Sequence, residues 1–376
     1  MDGGFRAKQQ RCRSRPTALG SDSGASLNLS PTPSTWMIGV VAIENEPIYQ
    51  SDPAAADDSG FEPGSLRHLV AGRRGRLLDP RRTPIRVSAL DMQRGFFDVE
   101  ILAFEDAGAH WLIPLESVGQ YQFEPGSDAS AAAVDVMEAR IAVLSRPFAV
   151  AAEPEERELS LRRLAEERAG ARKWLDNAGL IALHLDPLVR DRLGDPAIYA
   201  ILDGYLRDRD IADIETRFAE TFVSNARSGE VVKGHAIVLA ELGLCPFAGT
   251  VVRDPALFHG RWSKERLGRH LIGRMAFVQA LFERSGPLPV ALFRGFNVAT
   301  GTLPAPRPSS FVSASFSIDV AMAHFRAGPP TSSAALFRQP LSHDRLFMTF
   351  VETAAMNRNY REAEAVLIGD PGNRAF

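Results

Sequence analysis

Apolar positions along this chain come in three textures. Over residues 36–125 they form short runs broken by glycine and proline, at 38–43, 85–87, 96–104 and 111–118, which predicts strands. The runs at 97–104 and 111–115 flank Glu105-Asp106-Ala107-Gly108, a hairpin pattern with glycine in the turn. From 155 onward the period changes to three and four: Leu159, Leu161, Leu164 and Ala165 stand among Arg and Glu, and 211–223, 231–242 and 267–284 repeat the spacing, which predicts helices. Asp195-Pro196 opens another helix, with an acceptor cap before a proline in the first turn. Past Pro287 short apolar or alternating runs return at 289–293, 310–316, 345–351 and 363–368. The expected fold class is therefore α+β. A disordered arm (1–35), rich in Ser, Gly, Pro and Arg, precedes a small β-rich domain (36–125), a helical connector (126–178) and an α+β half (179–376) with a helical lobe over 180–285.

Composition narrows the class without choosing a function. The 376 residues leave room for about two domains of roughly 100 to 200 residues each. A net charge of -3 supplies no global attraction to nucleic acid or an anionic membrane. The two cysteines, Cys12 and Cys245, make neither a disulfide framework nor a paired-cysteine zinc signature. Scattered histidines without ligand spacing point away from a metal. No apolar run has the length of a secretory signal or of a membrane span, so the chain is expected in the cytoplasm. Arg73, Arg74, Arg76, Arg81, Arg82 and Arg86 crowd fourteen positions. That is either a solvated loop or a basic patch for an acidic partner or nucleic acid, with the loop favoured.

Three segments carry candidate chemistry. In Ala291-Leu292-Phe293-Arg294-Gly295 an apolar strand ends in arginine and glycine. A planar guanidinium can grip a pyrophosphate in two-point fashion, and glycine lets a ligand approach the backbone; surface arginines end strands as well. Ser310-Phe311-Val312-Ser313-Ala314-Ser315-Phe316 is a strand running into a helix. Period two sets Ser313 and Ser315 on one face, either toward a cleft or on a solvated edge with Ser317 capping the helix. Phe311 and Phe316 are core aromatics or, less often, stacking platforms. In Glu362-Ala363-Glu364 a regular strand would place two carboxylates on one side, about 7 Å apart, a pattern that solvated strand faces also show. Dinucleotide fingerprints, phosphate-binding loops and nucleophile elbows are absent from the sequence.

The order arginine, Ser-x-Ser, Glu-x-Glu, with nineteen residues from Arg294 to Ser313 and fifty-one from Ser313 to Glu364, resembles the arginine-serine-glutamate class of mono-ADP-ribosyltransferases. Within that class, Leu183-His184-Leu185, Asp195-Pro196 with Tyr199-Ala200-Ile201-Leu202-Asp203, Val232-Lys233-Gly234, Leu242-Gly243-Leu244-Cys245-Pro246 and the stretch from Glu362 to Gly369 resemble the dinitrogenase reductase ADP-ribosyltransferases. The resemblance covers roughly 180–376. The β-rich domain departs from that family, which leaves target and regulation open.

The resemblance implies an ADP-ribosyltransferase fold with a split sheet, NAD as substrate and no metal. Glu364 would stabilise the ribosyl cation and bind the nicotinamide ribose, Ser313 would hold Glu364, and Arg294 with Gly295, Ser313 and Ser315 would hold the dinucleotide. Phe311 or Phe316 would stack on nicotinamide, and Glu362 would receive the acceptor arginine. The implied partner is a protein substrate such as nitrogenase iron protein, with a regulatory protein a further possibility, and neither membrane nor nucleic acid is expected. The same motifs would serve an effector or toxin-type transferase with another target. A catalytically silent NAD-binding or partner-docking module is the rival from another class.

Overall fold

Alternation of apolar residues builds the first sheet. A computed structural model describes residues 60–370 except 79–81, 105–106, 226–228, 287–289, 299–309, 327–332 and 359–360; the expected arm and the run at 38–43 lie outside the described residues. Strands β1 (Glu62–Pro63), β2 (Arg74–Leu77), β3 (Pro84–Asp91), β4 (Phe96–Ile101), β5 (His110–Pro114) and β6 (Tyr121–Phe123) form an antiparallel sheet in the order β1-β6-β2-β3-β4-β5. Ile85, Val87, Phe97, Val99 and Ile101 are buried in its core. The expected hairpin is the β4–β5 pair, and Gly108 takes the positive φ, 83°, that its turn requires. The run at 111–118 is strand only to Pro114. Leu115 and Val118 both reach the core, and their spacing of three coils 115–120 into a 3-10 segment instead.

The arginine cluster is largely consumed within this sheet. Arg73 is buried and donates to the carbonyls of Glu124 and Ser127. Arg76 bonds Gln122 and lies over the Phe61 ring, and Arg86 pairs with Glu100. These guanidiniums serve the sheet's own edges and cross-strand pairs, so Arg73 and Arg76 are buried and Arg86 stands on a strand, and they form neither the solvated loop that the sequence favours nor a free basic patch.

The connector is shared between two cores. Helix α1 (Ala131–Leu144), capped by the Ser130 hydroxyl accepting from the Ala133 N–H, buries Met137 against the first sheet. After β7 (Pro147–Val150), α2 (Pro154–Asn177) sends Leu164, Ala171 and Leu175 into the second core. That core gathers α3 (Leu185–Asp191), α4 (Pro196–Asp208), α5 (Ala212–Asn225), α6 (Glu230–Glu241), β8 (Phe247–Thr250) and α7 (Lys264–Phe282). Asp195 caps α4 as expected, accepting from the Ala197 N–H at 2.8 Å.

Helix α7 is buried on every side from His270 to Phe282, which makes it the central element of the second half. After it come β9 (Ala291–Val298), β10 (Phe311–Ser315), α8 (Ile318–Arg326), β11 (Ser333–Pro340), β12 (Leu346–Thr349), α9 (Ala354–Arg358) and β13 (Glu364–Ile368), a C-terminal set whose β12 packs against α7. The sheet order is β11-β9-β10-β13-β12, all antiparallel. The chain is thus mixed helix and sheet, in keeping with α+β.

Two devices join the halves. β7 pairs with β8, and Arg253, just beyond β8, reaches into the first sheet to bond the Gly95 carbonyl at 2.9 Å and the Glu116 carboxylate, its guanidinium 5.3 Å from the Phe96 ring centroid.

Candidate functional site

The three strands that carry the sequence motifs are neighbours. β9 bears Arg294, β10 bears Ser313, β13 bears Glu364, and they stand side by side in that order. Ser315 is register partner of Phe293 on one flank and of Glu364 on the other. Antiparallel partners project to the same face, so Ser313, two residues before Ser315, shares a face with Glu364. The Ser313 hydroxyl donates to Glu364 Oε1 at 2.5 Å.

Burial raises the Glu364 carboxyl to about 7, the Ser313 hydroxyl opposes that rise, the nearby Glu362 charge adds to it, and His324 opposes it. A carboxylate losing solvent without gaining a full cationic partner is costly to ionise. The side chain nevertheless keeps part of its surface exposed. Such a group is poised to titrate near neutrality and to interact strongly with any positive charge that forms beside it.

Glu362 departs from the expected geometry. The strand begins only at Glu364, and Ala363 is left-handed at φ 44°, a conformation that costs an alanine about 1–2 kcal/mol. The two carboxylates are therefore set by a kink and not by strand alternation. Ser315 holds the kink: its hydroxyl donates to the Glu362 carbonyl at 2.6 Å and accepts from the Ser317 N–H at 2.9 Å. The Glu362 side chain turns toward α8, with Oε1 3.6 Å from His324 Nε2.

Several anticipated binding residues are spent on structure. Ser315 is 5% exposed, against an open Ser313, because its hydroxyl is engaged by backbone at the start of α8; it is a backbone latch and not a ribose ligand. Gly295 makes room for α8, since a Cβ there would lie 1.8 Å from the Ala321 carbonyl oxygen, so its smallness serves helix packing and not ligand approach. Phe311 packs edge-on to Phe218 and Phe222 and tilted on Phe347. Phe316 stacks on Phe282 at 5.6 Å. Both rings are core aromatics. Arg294 is half-buried, opposite Phe337 of β11.

His324 was not singled out by sequence reasoning. The available signal was its place on the helix that follows the Ser-x-Ser strand, but nothing in the spacing said that this helix would return it to Glu362. Its imidazole is raised above the ordinary histidine value, first by Glu362, against desolvation, and then by Glu364.

Lys233 and Cys245, from two of the other stretches that resemble family words, are engaged in packing and local hydrogen bonds. Lys233 bonds Glu230 at 2.8 Å and the Val251 carbonyl at 3.3 Å. Cys245 is buried, and burial pushes its thiol up to about 11, which makes it inert as a nucleophile. Among the described residues no group of three or more His, Cys, Asp or Glu is placed to hold a metal ion, and no helix is long and apolar enough to cross a membrane.

No protein-family model, curated protein sequence or solved structure matches the chain.

Proposed function

We propose that this chain is an NAD-dependent mono-ADP-ribosyltransferase that modifies a protein arginine. The observation that carries the reading is the Ser313–Glu364 hydrogen bond between β10 and β13, with β10 also paired to the Arg294 strand β9. Two of the three signals, far apart in sequence, thereby meet on one face of the sheet, the third lies on the neighbouring strand β9, and a carboxylate with a proton affinity near neutrality stands at that face.

The chemistry asks for such a group. When the bond between the nicotinamide nitrogen and ribose C1′ breaks, its electron pair leaves with nicotinamide and the ribose becomes oxocarbenium-like. Ionised Glu364 stabilises that charge, and the Ser313 hydroxyl fixes its orientation. Arg294 supplies a permanent cation for the phosphates. Glu362 receives the acceptor guanidinium by hydrogen bonding and takes its proton as the nitrogen bonds to C1′. The target is a protein with an accessible arginine; nitrogenase iron protein is the candidate suggested by the sequence resemblance.

Release of nicotinamide and transfer of labelled ADP-ribose test this directly. Glu364→Gln should lower both by about 10²- to 10³-fold, as loss of an aligned electrostatic stabiliser does elsewhere. Glu362→Gln should cut transfer far more than hydrolysis. An active Glu364→Gln protein, or a wild-type chain that binds NAD and cleaves none of it, would sink the reading.

A further inference from the structure

The mechanism above leaves Glu362 as the less anchored of the two carboxylates. It precedes the strand, its backbone is latched by Ser315, and its side chain is about one-third exposed. The cation beside it is His324, whose Nε2 lies 3.6 Å from Oε1. α8, which carries that imidazole, is anchored at two points: Gly295 seats the helix on β9, and Ser315 links its N-terminal end to the Glu362 backbone. The same hydroxyl thus fixes both the acceptor-side glutamate and the helix bearing the histidine.

Resting on the transferase reading, we propose that His324 is the positioning residue of the acceptor site, a cation that pairs with Glu362 and fixes where its carboxylate stands, so that Glu362 can receive the substrate guanidinium. The Glu362 and Glu364 carboxylates repel each other, and a cation beside Glu362 offsets that repulsion and favours one placement of its side chain. His324 relieves that repulsion while leaving Glu362 the oxygen lone pairs that an arginine fork requires. It does not touch the ribose and takes no part in breaking the glycosidic bond. The role belongs to choosing arginine over water as the second reactant.

The charged groups on elements packed against α8 are Glu362 and Glu364 at β13, Arg294 on β9 and Arg338 on β11, with Asp319 and Arg326 on α8 itself, Asp319 being paired 3.4 Å from Arg192. The two glutamates raise the imidazole's affinity for its proton. Charge on His324 is accordingly retained to a higher pH than in an isolated histidine and is lost as pH rises further. Transfer then acquires a falling limb at high pH that hydrolysis lacks.

The test is the ratio of ADP-ribosyl transfer to NAD hydrolysis in the full chain, with agmatine as a small guanidinium acceptor, across about pH 6 to 9, for wild type, His324→Gln and His324→Lys. For a half-exposed pair the expected fall in ratio with His324→Gln is about threefold to fivefold, appearing as a higher KM for agmatine. His324→Lys should restore the ratio and remove the falling limb, because a lysine stays charged through that range. A ratio unchanged in His324→Gln, or a falling limb that persists in His324→Lys, overturns the proposal while leaving the transferase reading intact. A wild-type chain that hydrolyses NAD but modifies neither agmatine nor protein arginine overturns the arginine assignment and the proposal together. One that cleaves no NAD removes the whole reading.

Discussion

Two clusters in the second half of the molecule are made of nearly the same residue types and behave oppositely. Under α7, Glu215, Glu352, His270, Thr349 and Thr353 surround Arg274. The guanidinium lies 3.1 Å from Glu215, 2.8 Å from Glu352 and 2.6 Å from the Thr353 hydroxyl, and it is wholly buried. At the sheet face, Glu362, Glu364, His324, Ser313 and Ser315 assemble without a guanidinium among the groups acting on Glu364. In the first cluster Arg274 is the leading influence that overcomes burial, and Glu215 is held down to about 2. In the second, burial prevails and Glu364 rises to about 7. A cation between two carboxylates makes a structural tie. With a partly exposed histidine in place of the buried guanidinium, burial still outweighs the cation at Glu364, and that carboxylate keeps its capacity for a further positive charge, such as a ribosyl cation.

The sharpest way to break the comparison is to take the cation from the buried cluster. Arg274→Met leaves Glu215 and Glu352 with uncompensated charge in the interior and should lower unfolding free energy by about 3–5 kcal/mol, a large share of the total for a protein of this kind. Chemical denaturation reads it out. Adding Glu215→Gln and Glu352→Gln to the same chain should recover most of the loss. If Arg274→Met alone is neutral, the cluster is not the tie described here.

Acid should separate the clusters next. His235, whose Nδ1–H donates to the Val231 carbonyl at 2.8 Å and whose Nε2 meets His270 at 3.1 Å, is pushed down to about 3 by burial and then by His270. Its folded value lies below the unfolded 6.5, so the unfolded chain binds the extra proton and stability falls as pH drops from 6.5 toward 3. Glu215, lowered from 4.5 to about 2, adds a loss in the same direction between those values. Melting temperatures should decline steadily below pH 6.5. His235→Asn should flatten the portion between 6.5 and 4.5, and an unaltered profile would remove His235 from the account.

Glu364 runs with the opposite sign and gives the smallest effect. Its folded value exceeds the unfolded 4.5, so ionising it costs stability as pH rises from 4.5 to about 7, while the same ionisation switches on the proposed stabilisation of the ribosyl cation. Nicotinamide release should therefore climb through about pH 7. Because Glu362 is one cause of the raised value, Glu362→Gln should move that limb to lower pH. The midpoints belong to the coupled group and not to one residue. A limb that stays in place would mean that the two carboxylates do not sense each other.

How much of this was legible in the sequence depends on the range of the interaction that decides it. Caps and periods are local, so Asp195 before α4 and the run within α7 were readable. The carboxylate–hydroxyl pair is legible only through the family resemblance, since neither Ser-x-Ser nor Glu-x-Glu says by itself which strands will be neighbours; the hydrogen bond between them is seen in the fold. Alternation gives a face but not what covers it, so Ser315 and Gly295 stay open to a ligand in the sequence while Phe311 and Phe316 read first as core aromatics; α8 packs on Gly295, the Phe218 cluster takes Phe311 and Phe282 takes Phe316. The kink at Ala363 left no mark in Glu-Ala-Glu, since its left-handed backbone is imposed by Ser315 from another strand. His324 was hidden for the same reason.

The fit of α8 against β9 also governs how position 295 would respond to a library of every amino acid. Any side chain at all brings a Cβ to 1.8 Å from the Ala321 carbonyl oxygen, so alanine, serine, aspartate and lysine should fail alike, with no gradation by polarity or charge. A residue that touched the dinucleotide would give a graded profile, in which small or hydrogen-bonding replacements survive in part. The shape of that tolerance profile, flat or graded, separates a steric seam from a ligand contact without any ligand being present.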